Sequence, residues 1–314
     1  MRVPLISSLS EHDQLEWIAA LNQAIGSTVV CHLDQLTDQE LLHSQVAIVA
    51  NPDLEQIKTL PNLVWVQSLW AGVEKLFDAG LNESIKIVRL VDERLSDTMA
   101  EAALAWVLYL HRDMPVYRAQ EQRSTWQQHP VKLAGERQVG ILGLGKLGQR
   151  VAHTLTDVGF KVRGWNKASR FRSNPPYESL QGEQGLNDLL ESSEILIVLL
   201  PLTDKTKGLL NSRRLSKLPS GACLINFARG PIVDEKALVE QLDSQHLKHA
   251  VLDVFDKEPL AKSHPFWQHP SVTVLPHIAA PTHKPSAAQL VAQHLSDYFE
   301  YGHIPDSVDK SRGY

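Results

Sequence analysis

An apolar run, Gln138 to Leu142, leads straight into Gly143-X-Gly145-X-X-Gly148, and a helical pattern follows. No other stretch restricts the fold so tightly. In a turn of this spacing Gly143 permits the tight bend and Gly145 lets a pyrophosphate approach the backbone. Gly148 lets the next helix pack closely on the strand. The helix N-terminus then presents free N–H groups and a positive dipole end to phosphates. Glycines at this spacing also serve ordinary turns. Here a strand precedes them, a helix follows, and a second strand runs from Lys161 to Trp165. That context predicts a nicotinamide or flavin dinucleotide site, with Leu144, Lys146 and Leu147 at the variable positions.

The same strand–helix alternation fills the rest of the chain. In the first ninety residues strand-like runs occur at Val3–Ser7, Thr28–Leu33, Val46–Ala50, Val64–Leu69 and Ile85–Leu90, with helical patterns such as Asp13–Ala24 between them. In the second half they recur at Gln138–Leu142, Val162–Trp165, Ile195–Leu200, Cys223–Phe227, His249–Val254 and Val272–Leu275. Strands that are apolar almost throughout belong to parallel sheets covered by helices on both faces. The class is α/β. Between the halves, Asp97 to Ala119 reads as one long helix with Asp97 as its cap. Gln120 to Glu136 reads as a polar connecting arm, and Lys284 to Tyr301 as a helix. Periodicity alone leaves open whether that last helix returns to the first half.

At 314 residues the chain is long enough for two cores. The formal charge of −5 argues against a general nucleic-acid or membrane-surface binder. Cys31 and Cys223 lie in apolar strand-like runs and read as buried, reduced thiols. The dense apolar run Ile195–Leu202 is too short to cross a bilayer, and Met1-Arg2-Val3-Pro4 enters a strand without a signal-peptide pattern. A cytoplasmic location is expected. Cys and His at metal-ligand spacing do not occur, so no metal is expected.

Three features of the second half carry chemistry. Asn226-Phe227-Ala228-Arg229-Gly230, Glu258-Pro259 and Pro276-His277-Ile278-Ala279-Ala280 each follow a strand. In an open α/β sheet, residues beyond the carboxyl ends of strands line the ligand crevice. Singly, each has an ordinary reading: a strand cap, a solvated turn, a structural histidine. Together they supply a planar cation, a carboxylate and an imidazole. That set suits reduction of a keto acid, which needs a carboxylate binder, an acid for the carbonyl oxygen and a group that tunes the acid.

These stretches resemble the D-2-hydroxyacid dehydrogenase family, more narrowly its bacterial glyoxylate/hydroxypyruvate reductase A branch. The resemblance rests on the Gly143 turn, Asn226-X-X-Arg229-Gly230, Leu252-Asp253-Val254-Phe255-X-X-Glu258-Pro259-Leu260, and Trp267-X-X-Pro270 leading to Pro276-His277. It implies two doubly wound parallel-sheet domains, flavodoxin-like and Rossmann, with the active site in a cleft between them. Residues 1–96, completed by 286–314, would form the substrate domain, and 97–285 an inserted dinucleotide-binding domain. It implies Arg229 as the residue that binds and polarises the substrate. His277 becomes the proton donor and Glu258 the residue that raises the pKa of His277. It also implies cofactor contacts at Leu200, Pro201, Phe227, Ala228, Arg229, Asp253 and His277. For Asp253 a plain strand-end turn is an equal alternative. Trp70-Ala71-Gly72 would receive the substrate carboxylate on backbone N–H groups, alongside Arg229 and His277. The indole of Trp70 would favour small substrates, although core packing explains it equally. The arm with Trp126 resembles the family's intersubunit segment, which implies a homodimer.

The cofactor follows from the end of the second strand of the glycine unit. NAD enzymes of this fold carry an acid there for the ribose hydroxyls. This chain has Gly164-Trp165-Asn166-Lys167-Ala168-Ser169-Arg170. Asn166 removes the repulsion, and Lys167 and Arg170 are cations available to a 2′-phosphate, unless they are simply a solvated turn. NADP(H) is therefore expected over NAD(H). The combined expectation is NADPH-dependent reduction of glyoxylate, hydroxypyruvate and similar 2-keto acids. A related enzyme for a longer keto acid, or a dinucleotide-sensing corepressor-like scaffold, are the rival readings; no disordered recruiting tail supports the scaffold.

Overall fold

The computed structural model describes residues 2–26, 28–77, 81–167 and 175–310. Two compact units make up the chain: Met1–Leu95 with Thr282–Tyr314, and Ser96–Pro281.

In the first unit five strands, β1 (Arg2–Ser7), β2 (Val29–His32), β3 (Val46–Ala50), β4 (Trp65–Ser68) and β5 (Lys86–Val88), pair in the order β2-β1-β3-β4-β5. Every pairing is parallel. That order is the flavodoxin-like one. Both faces of the sheet are buried, and alternate residues of β3 divide between them. Val46, Ile48 and Ala50 join one core with Trp17, Leu21 and Trp65; Ala47 and Val49 join the other with Ile57 and Val66. The helix Lys284–Tyr301 completes the first core through Ala287, Ala288, Val291 and Leu295. Lys284 is ion-paired with Glu16 on the helix Glu11–Ala24.

The second unit has seven strands: β6 (Gln138–Leu142), β7 (Lys161–Asn166), β8 (Glu178–Gln181), β9 (Ile195–Val198), β10 (Ala222–Asn226), β11 (Leu247–Leu252) and β12 (Val272–Val274). They pair in the order β12-β11-β10-β9-β6-β7-β8, again all parallel. The chain reverses direction across the sheet on either side of β6. This is the Rossmann switch point, where the carboxyl ends of β6 and β9 diverge and ligands bind. Period-two burial again sends Leu196 and Val198 to one core, and Ile195 and Ile197 to the other.

Three local features differ from the sequence reading. The long helical segment is two helices, Glu93–His111 and Met114–Gln122. Pro115 has no N–H and crowds the preceding turn, and Asp113 adopts a left-handed backbone at φ 55°. Asp97 is not the cap. It lies in the second turn and pairs with Arg150 at 2.8 Å, whereas Asp92 accepts the Arg94 N–H at 3.0 Å. Strand β8 was not expected, because Glu-Ser-Leu-Gln has no apolar alternation. It survives as a half-exposed edge strand, tied to β7 by Arg163–Glu178 at 2.7 Å.

Candidate active site

The glycine turn connects β6 to the helix Lys146–Asp157, whose N-cap is Gly145. Gly143 has φ 108°, and a Cβ there would lie 2.7 Å from the Leu199 carbonyl oxygen. A Cβ on Gly148 would lie 1.9 Å from the Gly143 carbonyl oxygen, so only glycine lets helix and turn meet. A Cβ on Gly145 would meet nothing within 4 Å. That is the open space a pyrophosphate needs, beside first-turn amides that lack intrahelical acceptors. The Leu144 side chain is buried, and its carbonyl accepts the Asn166 Nδ2–H at 3.2 Å and the Gln149 Nε2–H at 3.1 Å. Asn166 is thereby pinned to the turn. Lys146 and Lys167 are exposed and Leu147 half-buried. Arg170 lies outside the described residues.

The loop after β10 carries Arg229. Asn226, 1 % exposed, braces it from inside: Oδ1 accepts the Ala228 N–H at 3.1 Å, and Nδ2 donates to the Arg229 carbonyl at 3.0 Å. The Phe227 and Ala228 side chains are buried in the two cores and the Phe227 N–H is donated to the Val198 carbonyl at 3.2 Å, which leaves their carbonyl oxygens as what they can offer a ligand. Arg229 Nη1 donates to the Ala228 carbonyl at 2.6 Å. Leu200 and Pro201 follow β9 at the same edge of the sheet, and the Pro201 carbonyl accepts the Thr206 hydroxyl at 2.7 Å.

The loop after β11 carries Glu258, and the loop after β12 carries His277. Glu258 Oε2 lies 2.7 Å from His277 Nδ1, and Oε1 accepts the Phe255 N–H at 2.9 Å. The side chains are 35 % and 52 % exposed, so the pair is reachable from solvent. The hydrogen bond to Glu258 raises the His277 pKa above its ordinary value against the opposing effect of burial. Burial pushes the Glu258 carboxyl up, but its bonds from His277 and the Phe255 N–H outweigh that and hold it low. The positive charge of Arg229 opposes the rise at His277 and adds to the lowering at Glu258. A Cβ on Gly230 would lie 2.2 Å from the Phe255 carbonyl carbon, so the Arg229 and Glu258 loops touch backbone to backbone.

Asp253 is 1 % exposed. Its Oδ1 accepts the Ile278 N–H at 2.7 Å and its Oδ2 the Ala279 N–H at 2.9 Å. Burial raises its pKa, and the two N–H bonds oppose that. The preceding residue, His277, has φ 56°, a left-handed conformation uncommon outside glycine and asparagine. Asp253 therefore acts on the backbone that follows the imidazole. Sequence reasoning missed this brace, and it missed the bracing by Asn226, although Asn-X-X before a loop is a known side-chain turn signal.

In the first unit, Trp70, Ala71 and Gly72 follow β4. The Trp70 N–H is already donated to Ser68 Oγ at 3.0 Å, so it is not on offer to a carboxylate. Its indole packs edge-on against Trp17 with ring centroids 5.9 Å apart.

Residues 104–279 match the family model described as D-isomer specific 2-hydroxyacid dehydrogenase, NAD binding domain. The chain belongs to this family. Among solved structures, the dehydrogenase is similar to a D-isomer specific 2-hydroxyacid dehydrogenase from Xanthobacter autotrophicus Py2 in complex with NADPH and MES. The two are 34% identical over 99% of both chains, with a TM-score of 0.91. It is also similar to an NADPH-dependent glyoxylate/hydroxypyruvate reductase from Sinorhizobium meliloti in complex with NADP and sulfate. Identity there is 32% over 100% of this chain and 99% of that one, with a TM-score of 0.88. A probable 2-hydroxyacid dehydrogenase from Rhizobium etli CFN 42, in complex with NADP, HEPES and L(+)-tartaric acid, matches at 28% identity over 100% of both, with a TM-score of 0.88. Among the described residues of the dehydrogenase, no helix is long and apolar enough to cross a membrane.

Proposed function

We propose that this dehydrogenase reduces small 2-keto acids, glyoxylate and hydroxypyruvate first, to D-2-hydroxy acids, with NADPH preferred over NADH. One observation carries the reading. An imidazole with a raised pKa bonds a carboxylate at 2.7 Å within the field of an arginine, at the sheet edge that also holds the glycine turn. The open space at Gly145, the helix amides and the pinned Asn166 fit a dinucleotide. Bound NADPH supplies the hydride.

The chain's own residues do the rest. Arg229 binds the substrate carboxylate and polarises the neighbouring carbonyl with its planar fork. Glu258 occupies Nδ1 of His277, so the charged ring turns Nε2–H toward the carbonyl oxygen and gives up that proton. Asp253 and Glu258 fix where that nitrogen points. In the first unit, Trp70, Ala71 and Gly72 are the proposed substrate-recognition residues, and the bulk of the indole favours short substrates. The nicotinamide contacts proposed for Leu200, Pro201, Phe227, Ala228 and Asp253 fall to the carbonyl oxygens at Phe227 and Ala228, whose N–H groups are donated to Val198 and Asn226.

The arm between the helix Met114–Gln122 and β6 exposes Trp126 (97 %), Val131 and Leu133 (68 %), apolar surface that fits a second copy of the chain. A homodimer is the proposed assembly, checked by sedimentation of the unmodified protein and of Trp126→Ser. Two buried unpaired thiols suit a reducing cytoplasm. The reaction itself is tested by mixing purified protein, NADPH and glyoxylate or hydroxypyruvate and following the absorbance of the reduced nicotinamide. Tight NADPH binding with no turnover across a panel of keto acids refutes the reading.

A further inference from the structure

Gln67 is a polar side chain where the fold asks for an apolar one. It is 0 % exposed, on a strand with neighbours on both sides in the sheet of the first unit. Its register partners, Ile48 on β3 and Val88 on β5, belong to the core that the helix Lys284–Tyr301 completes. A leucine or methionine would fill such a place without the cost of taking an amide out of water. The amide instead joins two distant parts of the chain. Its Oε1 lies 2.8 Å from Nδ1 of His294, 227 positions away on that helix, and its Nε2 donates to the Ser68 carbonyl at 2.9 Å. A carbonyl can only accept, so Nε2 must face Ser68 and Oε1 the ring. Nδ1 is therefore the nitrogen of His294 that carries the proton. Burial lowers the pKa of His294, which favours the neutral ring.

The bonds lead to the loop after β4. The peptide between Ser68 and Leu69 is tied at both ends, its carbonyl by Gln67 and its N–H by the Val49 carbonyl at 2.9 Å. Trp70 is tied likewise: its N–H is donated to Ser68 Oγ at 3.0 Å, and its carbonyl accepts the Leu90 N–H at 3.0 Å. Among the described residues no acceptor takes the next N–H groups, those of Ala71 and Gly72. The same helix reaches the loop by a second route: Lys284 lies 5.9 Å from the Trp17 ring centroid, and Trp17 packs edge-on against Trp70. We propose that Gln67 and His294 are positioning residues for the substrate: through the Ser68 peptide they fix the direction of the Ala71 and Gly72 N–H groups, and so the affinity for the carboxylate of the keto acid. The proposal rests on the reading of Trp70, Ala71 and Gly72 as the substrate-recognition residues and adds the two side chains that hold them.

The test uses the full-length protein, with steady-state kinetics and calorimetry. His294→Leu and Gln67→Leu each cut the chain of bonds, and His294→Asn keeps an N–H donor near the place of Nδ1. For both leucine variants KM for glyoxylate should rise about 10-fold, the scale of one misaligned hydrogen bond to a charged group, with kcat within about threefold. Oxamate, a carboxylate that does not react, should bind the NADPH complex weaker by the same factor, which reads the loop without turnover. NADPH itself should bind within about twofold, because the Gly143 turn belongs to the other unit. His294→Asn should bring KM back to within about threefold of the unmodified enzyme. Should Gln67→Leu not fold, His294→Leu carries the test, since it leaves only the amide oxygen unpaired. Ala71→Pro deletes one of the N–H groups and so tests the loop itself. If Ala71→Pro folds and changes neither KM nor oxamate binding, the loop reading falls and the positioning role with it. If Ala71→Pro weakens both and the leucine variants do not, the positioning role alone is overturned. A lowered Tm with KM unchanged, equal losses for glyoxylate and NADPH, or no recovery with asparagine assigns the pair to stability and likewise overturns it.

Discussion

Replacing Gly230 by alanine tests whether the contact between two loops sets the chemistry. The added Cβ would sit 2.2 Å from the Phe255 carbonyl carbon and 2.5 Å from the Asp256 nitrogen, whereas ordinary contact begins at 3.4 Å. Both neighbours are backbone, so no side chain can swing aside, and the Arg229 and Glu258 loops must part by about 1 Å. A misplacement of about 1 Å between reacting groups costs on the order of 10²-fold in rate. Overpacking of this kind also costs about 1–3 kcal/mol of stability, roughly 3–10 °C in Tm for a unit of this size. The expected result is a folded protein with a lowered Tm, NADPH binding retained through the Gly143 turn, and kcat/KM for glyoxylate down about 10²-fold. Asn226→Ala removes the brace on the same loop without a clash, and serves if the alanine at 230 does not fold. Either variant, folded and within about threefold of the unmodified kcat/KM, would show that loop registry does not govern the site.

Three further outcomes are expected. Arg229→Lys keeps the charge but loses the bidentate fork, so kcat/KM should fall by about 10²-fold or more; normal kinetics would remove Arg229 from the mechanism. With His277 as the proposed proton donor, its pKa raised by Glu258, activity should hold at low pH and fall as pH climbs through that pKa. In Glu258→Gln the stabilising charge is gone and the single amide oxygen cannot serve both His277 and the Phe255 N–H; the fall should begin at lower pH, and an unmoved limb refutes the pairing. Asn166→Asp with Lys167→Ala should raise the KM for NADPH and lower that for NADH, because the new carboxylate repels a phosphate and accepts from ribose hydroxyls; an unmodified enzyme that already prefers NADH would sink the charge argument.

Much of this fold was legible because parallel strands buried on both faces print themselves as apolar runs. Val46–Ala50 and Gln138–Leu142 have the same bounds in sequence and structure. Strand β8 was hidden because an edge strand has only one neighbour and need not be apolar. The break before Met114 was signalled by Pro115, but the surrounding apolar periodicity ran through it and the period won over the breaker.

The acidic and amide residues of the site expose a deeper reason why sequence reading stops where it does. Asn226 ends β10 and Asp253 and Glu258 follow β11, at strand ends where a reagent and a scaffold residue have the same composition. The structure separates them by what they touch. Asn226 spends both ends of its amide on the Ala228 N–H and the Arg229 carbonyl. Asp253 spends both oxygens on the Ile278 and Ala279 N–H groups. Glu258 divides itself, one oxygen to the Phe255 N–H and one to the imidazole. A left-handed backbone at a non-glycine residue costs about 1–3 kcal/mol and persists only where its surroundings insist on it. Directly after His277, the two bonds to a buried carboxylate are that insistence. The imidazole is therefore held from both sides, by Glu258 through its ring and by Asp253 through the chain that follows it, and a site with two such restraints needs little reorganisation to serve as the proposed proton donor.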